Sequence, residues 1–114
     1  MTTMISCRLL GGWRERLRGL LWTDASRAGT VLLNPCRSIH TFGMPYAIDV
    51  AFLSKEGKVV LVKRGVPPKT VLTCRAACSV LERPASEASW PVEGEDISLV
   101  VRCSEPVEGE SDYE

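Results

Sequence analysis

The sequence lacks net charge, long apolar runs and all but one histidine. Its 14 Lys/Arg balance 14 Asp/Glu, so nothing in the total charge pulls the chain towards nucleic acid or a membrane surface. No apolar run reaches the 18 residues of a membrane span. The opening "MTTMISCRLLGGWRER" lacks the basic start and apolar block of a secretory signal, and the chain is read as cytoplasmic. Gly11-Gly12 lacks the spacing of a dinucleotide fingerprint, so no phosphate-cradling loop is present. The single histidine, His40, means that any zinc site would have to draw on cysteines.

What the chain does have is one domain's worth of residues. At 114 residues it can bury a core without a disulfide or metal to help it fold. Five cysteines (Cys7, Cys36, Cys74, Cys78, Cys103) are an odd number without paired spacing and are read as reduced thiols. Charge is unevenly placed. Residues 38–81 carry six Lys/Arg and two acids, whereas residues 82–114 carry ten acids and two arginines. Residues 1–103 are assigned to a single globular domain and 104–114 to an acidic, disordered tail.

Trp13, Leu17, Leu20 and Leu21 recur at helical spacing and predict a short helix over 13–22, with Arg14, Arg16 and Arg18 on a solvated face. Thr30–Leu33 is a β-type run ended by the turn signal Asn34-Pro35. Ile48–Leu53 alternates, Ile48, Val50 and Phe52 to one side and Asp49, Ala51 and Leu53 to the other. "SKEG" and then "KVVLVK" follow, which predicts a hairpin with Gly57 in the left-handed position. Pro67-Pro68 marks a loop. Residues 71–82 read as either helix or strand, and Ile97–Arg102 as a further strand. The fold class expected is α+β, mainly β: a small barrel-like or curled antiparallel sheet with one or two short helices.

The stretch "PCRSIHTFGMPYAIDVAFL" holds the candidate site. A carboxylate inside an apolar strand, Asp49, is either a general acid or base whose pKa burial would raise, or a structural acceptor for donors such as those of the 41–46 loop. Cys36, His40 and Asp49 are the residue types of a thiol nucleophile, its base and an orienting acid, and are the candidate catalytic residues of an enzyme reading. Cys36 and His40 with Cys74 and Cys78 would make a four-ligand zinc site only if both i, i+4 pairs were helical. The leading reading is a non-enzymatic binding or accessory domain with a ligand pocket at the 36–46 loop, bound through His40, Phe42, Met44 and Asp49. It invokes no cofactor and no metal. A small molecule or protein is the partner expected, and neither nucleic acid nor a membrane.

The order of motifs resembles a family of bacteria and archaea, domain of unknown function 192. Gly19-Leu20-Leu21-Trp22 is similar to its helix signature, and Phe42 and Met44 to its aromatic-x-Met element. Ile48-Asp49-Val50-Ala51-Phe52-Leu53 is similar to its aspartate-bearing strand. Glu56-Gly57-Lys58-Val59-Val60, Pro67-Pro68, Val80-Leu81-Glu82-Arg83-Pro84-Ala85 and Gly94-x-Asp96 complete the likeness, over about residues 17–100. The resemblance implies a small, mainly β barrel-like domain, with Val-Leu-Glu in a strand. It implies no activity, cofactor or partner. Ser86 stands where the family pattern has glycine, and the short helix after it is truncated.

Overall fold

The computed structural model describes residues 2–10 and 29–102, and there the chain is β throughout. Eight strands follow one another: β1 (Thr2–Leu10), β2 (Val31–Leu33), β3 (Ser38–His40), β4 (Ile48–Leu53), β5 (Val59–Val66), β6 (Val71–Thr73), β7 (Ser79–Pro84) and β8 (Asp96–Arg102). Six form one sheet in the order β5-β4-β7-β2-β1-β8, and β3 and β6 form a separate two-stranded ribbon. Most ladders are antiparallel, while β1 runs parallel to both its neighbours, β2 and β8.

β4 is central because every one of its six residues is buried. Its alternation divides the core in two. Ile48, Val50 and Phe52 join Val31, Leu33, Ile39, Met44, Val66 and Val80 on one face. Ala51 and Leu53 join Cys7, Leu32, Val59, Leu81, Trp90 and Ile97 on the other. The ribbon supplies Ile39 and the half-buried Leu72 to the first cluster, and so covers that face of the sheet.

The predicted hairpin is present. Ser54–Gly57 turns β4 into β5, and Gly57 has φ 88°. A Cβ on Gly57 would lie 2.9 Å from the Ile97 carbonyl oxygen, because the Ile97 N–H donates to the Gly57 carbonyl at 2.9 Å. Around this turn the two outer strands of the sheet meet. Lys58 bridges to Asp96, and the Val59 N–H donates to the Glu95 carbonyl at 2.9 Å. The sheet is therefore curled, but it is open and not a closed barrel.

No helix occurs among the described residues, so the fold there is mainly β and not α+β. The predicted 13–22 helix, the three arginines on its face and the 104–114 tail lie outside the described residues. The helical option for 71–82 fails for a packing reason: Val80 and Leu81 feed opposite core clusters, a period of two that only a strand provides. β7 then fits between β4 and β2. After it, residues 85–90 carry no helix either.

Candidate functional site

Asp49 is 1% exposed and sits on the Ala51/Leu53 side of β4. A bulge shapes its surroundings. Ile48 pairs with Val66 but Val50 pairs with Lys63, so Arg64 and Gly65 together face Asp49. The Gly65 N–H, lacking a ladder partner there, donates to Asp49 Oδ1 at 2.9 Å. Directly across β7, Arg83 Nε donates to Asp49 Oδ2 at 3.0 Å, and the Ser86 N–H adds a third bond at 3.3 Å.

The two arginines extend this network. Arg83 donates to the carbonyls of Ser89 and Ala88 at 2.9 and 2.7 Å and lies 4.5 Å over the Trp90 ring. Arg64 donates to the carbonyls of Ser86 and Ala88 at 2.7 and 2.9 Å. Trp90 Nε1 donates to the Val50 carbonyl at 3.2 Å. Asp49 thus has its oxygens occupied, and two guanidinium groups hold residues 86–89 against the sheet. The carboxylate is an acceptor that fixes a loop; its donors come from β5, β7 and the segment after β7, not from the 41–46 loop.

The remaining candidates are on the other side of β4. Cys36 packs against the first core cluster, and its thiol donates to the Ser38 carbonyl at 3.2 Å. His40 is exposed on β3, its ring centroid 5.8 Å from that of Phe42. Met44 is buried in the first cluster, while Phe42 is 51% exposed. Cys36, His40 and Asp49 are therefore not brought together, since β4 stands between Asp49 and the cluster on which Cys36 packs. The zinc arrangement is not formed: among the described residues no group of three or more His, Cys, Asp or Glu side chains could hold a metal ion. The physical reason is that 38–40 and 71–73 are strands, which carry His40 away from Cys36 where a helical turn would have brought it close.

The turn that carries Phe42 is rigidly held. Thr41 is fully buried; its hydroxyl donates to the Pro67 carbonyl at 2.7 Å and accepts the Thr70 N–H at 2.9 Å. The Thr41 N–H donates to the Thr70 carbonyl at 2.9 Å, and its own carbonyl accepts the N–H of Met44 at 3.1 Å. Gly43 takes φ 85°, which lets the chain reverse so that Met44 enters the core while Phe42 stays outside. Beside Phe42, His40 is paired across the ribbon with Val71, itself 61% exposed.

The model of the family domain of unknown function 192, described as an uncharacterised ACR, matches residues 2–94. The chain belongs to this family. Its members share no established activity. Two solved structures resemble the chain with a TM-score of 0.57 each. One is a protein of unknown function from Novosphingobium aromaticivorans, 18% identical; the other, from Sinorhizobium meliloti, is described as a candidate transcription regulator and is 16% identical. Each likeness covers 68% of this chain, and 61% and 66% of those two chains respectively. At such identities they bear on the fold alone. No curated protein matches the sequence.

Arg83, Arg64, Trp90 and Val71 were not singled out from the sequence. For Arg83 a signal existed, an arginine next to the buried run Val80–Glu82, but its partner lies 34 residues away and only the register of β4 against β7 brings the two together.

Proposed function

We propose that this member of the family is a binding domain whose recognition surface is the ribbon β3–β6 and the turn that follows β3. The observation that carries the reading is Phe42: an aromatic ring 51% exposed, set against His40, on a turn whose backbone is tied to 67–70 through the buried Thr41. Exposed apolar side chains on a rigid support cost no ordering on binding, which is what interface anchors need. His40, Phe42 and Val71 form the exposed surface, and Met44 anchors it to the core. Asp49 contributes at one remove, by holding the opposite face of β4.

The finer fold features belong to the same reading. A helix over 13–22 would pack on the curled sheet, and residues 104–114 would form an acidic tail to a domain ending near 103. The setting is cytoplasmic, in keeping with the free thiols of Cys74 and Cys78. Among the described residues no helix is long and apolar enough to cross a membrane.

A photo-crosslinking amino acid placed at position 42, and separately at the more exposed Val92, tests the reading in cells. A discrete adduct formed from position 42 and not from 92 is expected. Equal adducts from both sites, or none from 42, would overturn it.

A further inference from the structure

Strand edges differ in how they are covered. At the β5 edge the Val59 N–H is taken by the Glu95 carbonyl, and the Val62 N–H by Glu93 Oε2 at 3.2 Å. Among the described residues the β6 edge has no such cover. Cys74 donates to Arg37 and Thr41 donates to Thr70, which fixes the parity of the ribbon. Pairs 37/74, 39/72 and 41/70 exchange main-chain hydrogen bonds, and pairs 38/73 and 40/71 do not. The close Ser38–Thr73 hydroxyl contact of 2.9 Å is what a non-bonded pair gives. Val71 and Thr73 therefore aim their N–H and C=O groups away from β3, and among the described residues the ribbon has no third strand. Both residues are exposed.

The surroundings of that edge carry charge of one sign. Residues 34–46 and 61–78 contain no Asp or Glu at all. Arg37, Lys63, Lys69 and Arg75 are exposed and form no ion pair among the described residues. Lys69 precedes β6 and Arg75 follows it, so a cation stands at each end of the open edge. An unpaired edge this short and this positive is built against pairing with a copy of itself, since like charges would meet.

We infer that β6 accepts an extended acidic peptide as a third strand of the ribbon. The peptide main chain would pair with Val71 and Thr73, its apolar side chains would lie against Val71 and Phe42, and its carboxylates would reach Lys69 and Arg75. Strand addition draws its affinity from main-chain hydrogen bonds and its selectivity from alternate side chains. Nucleic acid fits less well, because the edge offers alternating donors and acceptors, with the Phe42 and His40 rings set against each other beside it and no series of stacking rings along it. This inference rests on the binding reading above and names its partner class.

The test uses the 15N-labelled full chain titrated with the capped peptide EEVTVEE. Three controls accompany it: its KKVTVKK counterpart, a twin N-methylated at both valines and the threonine, and a seven-residue oligothymidylate. Binding of EEVTVEE is expected, with slowed amide exchange at Val71 and Thr73. Affinity should fall at least about tenfold with Lys69→Glu/Arg75→Glu, whose exposed positions leave folding intact, and as much with the N-methylated twin. Thr73→Pro, which removes an outward N–H, should weaken binding too. Shifts around Phe42 without protection at Val71 and Thr73, or with the N-methylated twin equally effective, would overturn strand addition and leave the binding surface standing. Equal binding of the oligothymidylate or of KKVTVKK would overturn the acidic-peptide class. No binding of EEVTVEE by the wild-type chain would overturn the inference, while the crosslinking at position 42 reports separately on the surface itself.

Discussion

The loop after β7 and the ribbon β3–β6 lie on opposite sides of the same strand and treat polar groups in opposite ways. On the Asp49 side, one buried carboxylate takes donors from Gly65, Arg83 and Ser86, and the arginines spend their remaining N–H groups on loop carbonyls. On the ribbon side, four cations, the Phe42 and His40 rings and the outward main-chain groups of β6 face solvent. A saturated network fixes shape; groups left open on a fixed shape are what recognition can use.

Several substitutions would break or sharpen that contrast. The largest effect is expected from Arg83→Met. It leaves Asp49, 1% exposed, with only the half-exposed Arg64 guanidinium, 3.8 Å away, and urea unfolding should show a loss of about 3 kcal/mol. Replacing both Asp49 and Arg83 by leucine should regain part of that loss, because a buried ion pair is often exchangeable for apolar packing. The recovery stays incomplete because the amides of Gly65 and Ser86 lose their acceptor, each at about 1–3 kcal/mol. A double variant no better than Arg83→Met would mean that the pair itself contributes little.

Gly57→Ala comes next. Its φ of 88° and the Ile97 carbonyl 2.9 Å from the new Cβ make the turn where β5 meets β8 intolerant of a side chain. A loss of about 1–3 kcal/mol is expected in the same unfolding measurement.

Acid should act at the same junction. The Thr3 hydroxyl donates to Glu95 and, with the Val92 N–H at 3.0 Å, lowers the pKa of that carboxyl below its ordinary value of 4.5. A lowered pKa in the folded state contributes stability that is complete above the ordinary value and is lost as pH falls through the lowered one. Glu95→Gln should flatten that part of the stability profile below pH 4.5, by lowering stability above it towards the acid value and not by raising stability in acid. The smallest effect belongs to Phe42→Ser. Removing a half-exposed ring should change stability by no more than about 0.5 kcal/mol while weakening the crosslink formed from a photo-crosslinking amino acid placed instead at Val71, on the same surface.

The strand Ile48–Leu53 and its hairpin were legible because a period of two and a terminal glycine are local signals. The strand at 79–84 was legible only through family resemblance, its alanine-rich lead-in being equally good helix. β1 gave little sign of itself. Thr2, Met4 and Ser6 face out and Ile5 and Cys7 face in, a correct alternation written in residues with weak strand preference, and its parallel partners β2 and β8 are distant in sequence. Of the candidate site, His40 and Phe42 were found as an unusual loop. The role of Asp49 was half legible: that it would be satisfied follows from burial, but its donors are 16 to 37 residues away and are set by register and a bulge. Val71 and its flanking cations carried no local mark, because what makes them notable is an unpaired edge, and edges exist only once strands are arranged.

Native-state amide hydrogen exchange on the full chain tests the contrast most directly. The amides of Gly65 and Ser86, bonded to the buried Asp49, should be protected, whereas those of Val71 and Thr73 should exchange at close to unprotected rates. Protection at Val71 and Thr73 equal to that at Gly65 would contradict the open edge and, with it, the division between a closed side and a receptive one.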